Sequence, residues 1–189
     1  MNIKKGIKII ILLLIILLVI VFFIKITNRN KKSREIHTIY QILLENNIQN
    51  NIKEESTLSV NVSEHKNIIG VVKINKIGFE GIIYEGTDME TLDKGVGHFE
   101  NSPIFEGNVC LAAHNNKKFW AKLNKLKIND IIEYSCILGI KKYIVFNIQE
   151  IDSTDWSLLD DTDKNIITLI TCIKNKPDKR LCVQAKEAI

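Results

Sequence analysis

The amino-acid sequence predicts a mainly β domain, a sandwich or a barrel, behind an N-terminal transmembrane helix. Two observations carry that expectation. Ile9–Ile24 is an unbroken apolar run of 16 residues. From Ile68 onward, short β-branched runs alternate with turn-like stretches. A third observation bounds the rest. Hydrophobic residues make up 46% and charged residues 25% of the 189 positions, so setting the apolar run aside leaves one domain with a sizeable core.

The first element is the apolar run. Counting Ile7 and Ile26 across Lys8 and Lys25 widens it to 20 positions, close to the ~20 residues that span a bilayer core. The two lysines can snorkel to the interface. A cleaved signal peptide would end in a small-residue site. This run instead exits into Ile26-Thr27-Asn28-Arg29 with no Ala-x-Ala, so residues 1–34 are expected to be an uncleaved anchor with basic flanks. Three basic side chains precede the run and five follow it, a balance that favours a cytoplasmic location for the carboxyl side. Glu35–Ile52 reads as a helix, with Ile36, Ile39, Tyr40, Leu43 and Leu44 on one face. Asn51–Asn67 is polar and reads as a linker, so 35–67 forms a stalk and linker and 68–189 the folded domain.

Charge excludes one class of function. Residues 1–34 hold eight of the 26 basic side chains and no acidic one, so the rest, with 18 basic and 22 acidic, is net −4. An acidic domain without a basic stripe is not a nucleic-acid binder. The four cysteines (Cys110, Cys136, Cys172, Cys182) form no CxxC pair and no zinc spacing. They do not read as a disulfide framework either.

The expected strands are Ile69–Ile74, Phe79–Tyr84, Asn108–Ala113, Ile131–Tyr134, Lys142–Ile151, Ile166–Thr171 and Arg180–Lys186. Two short helices are expected, Met89–Lys94 and Phe119–Leu126, the second with Phe119, Leu123 and Leu126 on a core face.

Three segments carry chemistry. An apolar strand from Gly107 ends in His114, another from Ile166 ends in Cys172 before a loop at Lys174–Lys179, and Arg180 opens the last strand. A thiol becomes a strong nucleophile when a nearby base or cation favours its thiolate. A histidine can supply that and then protonate a leaving amine. An arginine stays cationic and can hold an oxyanion. Taken singly, a lone cysteine is more often a small buried hydrophobe, and a lone histidine or arginine a structural or solvated residue. Cys110, four residues before His114, and Cys182, two after Arg180, share faces with those residues by alternation and are rival thiols. Cys172 is preferred because it ends a strand at a loop. Cys136 is expected in a turn without a role.

Taken in order, these segments resemble the sortase family of Gram-positive bacteria. Thr168-Leu169-Ile170-Thr171-Cys172 matches the family's Thr-Leu-x-Thr-Cys strand, and Arg180 follows it by eight residues. Upstream come Gly97-His98, Ser102-Pro103, Gly107-Asn108 and Ala113-His114 in the family's order, and Asn129-Asp130 resembles its Gly-Asp turn. The resemblance runs from about Ile69 to Ala185. It departs at His114, which follows Ala-Ala and precedes Asn, where Gly-His-Arg is common. The family pattern makes His98 structural.

The resemblance implies an eight-stranded β-barrel and a cysteine transpeptidase or thiol protease chemistry. Cys172 would attack a carbonyl in a Leu-Pro-x-Thr-Gly-like sorting signal, His114 would protonate the leaving amine, and Arg180 would steady the oxyanion. Thr171 would donate a hydrogen bond to the substrate. Partners would be surface proteins or pilins bearing the signal, and an amine acceptor such as a cell-wall peptidoglycan precursor. The catalytic domain would lie outside the cell membrane, against the charge count. Asp152–Asn165 would line the groove. Some relatives bind calcium with acidic loops here, but Asp152, Asp155, Asp160, Asp161 and Asp163 lack EF-hand spacing, so a solvated loop and no metal or other cofactor are expected. Compact length, one anchor and no C-terminal apolar tail point to a class D or class A-like enzyme, class D preferred, rather than a pilin-polymerising class C enzyme. The alternatives are an anchored cysteine peptidase that hydrolyses its acyl-enzyme, and a non-catalytic extracellular binding module.

Overall fold

A computed structural model of the chain describes residues 3–50 and 67–188. The expected linker falls almost wholly outside the described residues. Helix α1 runs unbroken over Ile3–Asn50. The boundary expected at residue 34 is therefore not a break in the helix. No proline precedes Pro103 and no glycine lies between Gly6 and Gly70, so nothing local stops the helix there. Its stretch Ile10–Asn28 is long and apolar enough to cross a membrane, about 28 Å at 1.5 Å per residue.

The second unit is a closed eight-stranded barrel. Its strands are β1 (Ile68–Ile74), β2 (Phe79–Glu85), β3 (Val96–His98), β4 (Asn108–Ala112), β5 (Ile131–Cys136), β6 (Gly139–Asp152), β7 (Ile166–Ile173) and β8 (Lys176–Glu187), with helix α2 at Met89–Lys94. Around the wall the order is β1-β2-β3-β4-β7-β8-β6-β5. The pairs β2–β3 and β4–β7 are parallel and the others antiparallel. Alternation turns one set of side chains inward, among them Val109 and Leu111 of β4, Ile167 and Leu169 of β7, and Val183 and Ala185 of β8, all fully buried. Cys136 belongs to this interior rather than to an open turn. The other set faces outward, where Ile151, Ile170 and Cys182 form a smaller cluster under Leu158 and Leu159.

Three expectations are corrected. β3 is a strand that the sequence did not announce, since three residues with a glycine and a histidine make no β-branched run. Phe119–Leu126 is not an α-helix. Phe119 bonds back to Asn116, Leu123 to Trp120 and Leu126 to Leu123, so tight three-residue turns bury the expected Phe119, Leu123 and Leu126. Lys174–Lys179 is not an open loop, because a turn at Lys174-Asn175 leads straight into β8 at Lys176.

Candidate active site

The motif residues hold walls and loops together. Gly97 lies where a Cβ would run into the Gly86 carbonyl, so the β2–β3 crossing needs glycine there. Gly107 takes φ +78° against Asp161 and Pro103, a left-handed conformation that glycine adopts without strain. Asn108, fully enclosed at the start of β4, donates through Nδ2 to the carbonyls of Leu158 and Asp160, both at 2.9 Å. Its Oδ1 accepts from Thr168 at 2.7 Å. One side chain thus hangs the 153–165 segment across the outer face of β4 and β7.

Cys172 and Arg180 are directly opposed across β7 and β8, so their side chains stand on the same face. Their pairing is the last regular rung. Beyond it the register jumps to Ile173 opposite Lys176, leaving Pro177–Lys179 as an irregularity on β8. Pro177 has no N–H to lose there. Arg180 Nη1 donates to the carbonyls of Pro177 and Lys179, both at 2.9 Å. Cys172 is therefore inside β7 by one residue, yet it stands where the β7–β8 ladder opens. The β4–β7 ladder ends at Ala112 and Ile170, and two residues further along each chain His114 and Cys172 line the same surface hollow. Asn115 Nδ2 locks this juncture by donating to the Cys172 carbonyl at 2.6 Å.

Thr171 is buried, 3% exposed, and its hydroxyl donates to the Ala113 carbonyl at 2.7 Å. The hydrogen bond expected for substrate is spent instead on the seam between β4 and β7, one residue from both Cys172 and His114. His98 is likewise committed. Its Nδ1 meets Glu85 Oε1 at 3.0 Å and its Nε2 meets Ser102 Oγ at 2.9 Å.

A groove of about 280 Å³ joins His114, Cys172 and Arg180. Its walls are mostly apolar, with Met89, Leu92, Phe99, Ile151, Trp156 and Ile170. Phe99 and Trp156 meet edge to face at 6.1 Å. Asp152, Ser153 and Asp155 bring the expected acidic segment to the rim. Sequence reasoning missed Met89 and Leu92, one turn apart on α2, and Phe99 and Trp156, which come from two separate loops with no common spacing. Among the described residues, no three His, Cys, Asp or Glu side chains gather as a metal site. Asp152 instead pairs with Lys179 at 2.7 Å, and Asp155 accepts from Ser157.

The rival thiols differ from Cys172 in depth. Cys110 and Cys182 do share the outer face but lie fully covered, and burial pushes both up to about 12. Burial also raises Cys136. Among the described residues, Cys172 alone is an exposed thiol. The arrangement offers a solvent-facing sulfur, an imidazole and a fixed guanidinium at one end of an apolar groove, the components of acyl transfer.

Residues 72–188 match the family profile described as a sortase domain. The chain is 27% identical over 130 residues to sortase A of Bacillus anthracis, covering 67% of this chain and 62% of that protein. It is 31% identical over 106 residues to sortase D of Bacillus subtilis strain 168, covering 54% of this chain and 53% of that one. These matches span about half to three fifths of the relatives' own length. Among solved structures, a sortase C1 from Streptococcus suis superposes with a TM-score of 0.61 at 30% identity, covering 67% of this chain and 75% of that one. The profile match spans the barrel from β1 to β8, and the chain belongs to the sortase family.

Proposed function

We propose that this barrel is a membrane-anchored cysteine transpeptidase with Cys172 as nucleophile, His114 as acid and base, and Arg180 as the oxyanion partner. The observation that carries the reading is the exposure of one thiol of four, opposed by Arg180 and flanked by His114. The Cys172 thiolate adds to a backbone carbonyl of the bound signal, and Arg180, opposite Cys172 in the β7–β8 register, shares the oxyanion charge. The C–N bond breaks, and His114 gives its proton to the departing amine. A thioester to Cys172 remains. An acceptor amine then adds to that thioester, loses its proton to His114 and expels the thiolate, so the peptide bond is exchanged rather than consumed.

The apolar walls suit a Leu-Pro-x-Thr-Gly-like segment on a surface protein or pilin, and the acceptor is an amine of a cell-wall precursor or of another subunit. Thr171 serves by holding Ala113 and the groove floor in place. Likeness to a sortase D supports class D. The apolar stretch Ile10–Asn28 anchors the enzyme, with the barrel outside the cell, where sorting signals and acceptors meet.

The test uses the full chain in detergent micelles with a panel of quenched Leu-Pro-x-Thr-Gly-type peptides, with and without an amine, beside Cys172→Ala. The expected result is cleavage that the substitution abolishes, with a joined product when amine is present. Cleavage with water alone as acceptor would make the protein a peptidase. A folded protein whose Cys172 resists alkylation would point to a binding module.

A further inference from the structure

One contact of His114 lies outside the Cys-His-Arg set. Its Nε2 stands 3.2 Å from Asp93 Oδ1. Asp93 sits on α2, in the stretch that crosses from β2 to β3, and no spacing in the chain announces that this stretch reaches the histidine. The contact is built rather than casual. Asp88 caps α2, accepting from Thr91 N at 3.1 Å and Thr91 Oγ1 at 2.6 Å, and these bonds hold its carboxyl below the ordinary carboxylate value. Lys118 Nζ donates to the Asp93 carbonyl at 2.6 Å and lies 4.6 Å over the Phe119 ring. That ring in turn leans against His114, 6.3 Å between centroids. Asp93, His114 and Cys172 also line one surface hollow.

We infer that Asp93 is a positioning residue that holds His114 as its Nε2–H tautomer, so that the proton exchanged with Cys172 and the leaving amine travels at Nδ1. The inference rests on the proposed role of His114. A carboxylate carries negative charge and no proton to give, so the imidazole nitrogen that stands 3.2 Å from it favours N–H over a lone pair. In a neutral ring this leaves the lone pair on the other nitrogen, and the partner of one nitrogen decides the chemistry of the other. Asp93 is 73% exposed and His114 24%, so water screens their attraction and the contact acts through orientation. A ring that spins between two tautomers presents the wrong nitrogen to sulfur for part of the time, and misplacement at a reacting centre is costly.

The experiment does not depend on knowing the substrate. The chain has four histidines, and the full chain labelled with ¹⁵N-histidine in micelles gives a long-range ¹H–¹⁵N spectrum in which His114→Gln identifies the His114 signals. Wild type is expected to show the Nε2–H pattern. Asp93→Ala is expected to show a mixed or Nδ1–H pattern and slower Cys172 alkylation by iodoacetamide, and Asp93→Glu to restore both. On a cleaved peptide, Asp93→Ala should lower kcat roughly tenfold with KM little changed. An Nδ1–H pattern in wild type overturns the inference. So does an Asp93→Ala protein with the wild-type tautomer and alkylation rate. If no peptide is cleaved but tautomer and alkylation respond as expected, the substrate reading fails and the role of Asp93 stands. Circular dichroism on Asp93→Ala and on Asp93→Asn, which keeps the side-chain shape, separates these effects from misfolding.

Discussion

Cys110, Cys172 and Cys182 all stand on the outer face of the barrel wall, and depth beneath the 153–165 segment separates them. The covered pair must first shed their protons inside an apolar layer, which is why their thiols rise to about 12. A thiol raised that far stays protonated through neutral pH and gains its thiolate only in strong alkali or on unfolding. Iodoacetamide at neutral pH should therefore modify Cys172 first in the native protein, as peptide mass mapping would show, with Cys110 and Cys182 following only in denaturant. Cys110→Ala and Cys182→Ala should each keep most peptide cleavage. Loss of turnover in folded Cys110→Ala would move the nucleophile. At this scale the sequence was informative where a residue ends a motif, as at Cys172, and silent where residues meet from distant loops. Nothing in the spacing of Phe99 and Trp156 foretells contact, because loops carry no period, and the Asp93–His114 contact joins two elements that are far apart in the chain.

Among the elements, β4 and β7 form the seam on which the site is built, and their polar side chains are joinery. Thr168 bonds Asn108, and Thr171 bonds the Ala113 carbonyl. Thr171→Val keeps the shape and leaves that buried carbonyl with one partner fewer. It should destabilise the fold by about 1–3 kcal/mol, measured from the urea midpoint, and should slow turnover by loosening His114. Wild-type stability in Thr171→Val would assign the threonine to the substrate instead. The strands were legible because β-branched runs mark them, although β6 starts three residues earlier than its first expected residue, in the turn glycine Gly139. The 119–126 stretch was misread for a physical reason. Consecutive three-residue turns place Phe119, Leu123 and Leu126 on one buried side, as a helix would, and apolar spacing alone does not separate the two.

For the whole molecule, the family and the barrel were legible in the ordered motifs, while sidedness was not. Five basic residues after the apolar run argue for one orientation and the proposed chemistry for the other. Exposure of Cys172 supplies a direct readout. In intact cells a membrane-impermeant maleimide should label the full chain and should fail to label Cys172→Ala. Labelling that appears only after the cells are opened would place the barrel inside and remove cell-wall acceptors from its reach.

Asn108 grips the 153–165 segment by the carbonyls of Leu158 and Asp160, which every residue type possesses. The clamp is blind to what those positions spell. This grip survives a change of side chain at Leu158 or Asp160, while Asp161 and Asn165 hold the start of β4 through their own oxygens and Cys172 and Arg180 stay paired across β7 and β8. Descendants of such a fold can try new substrate tastes on one side of the groove without relearning the reaction on the other.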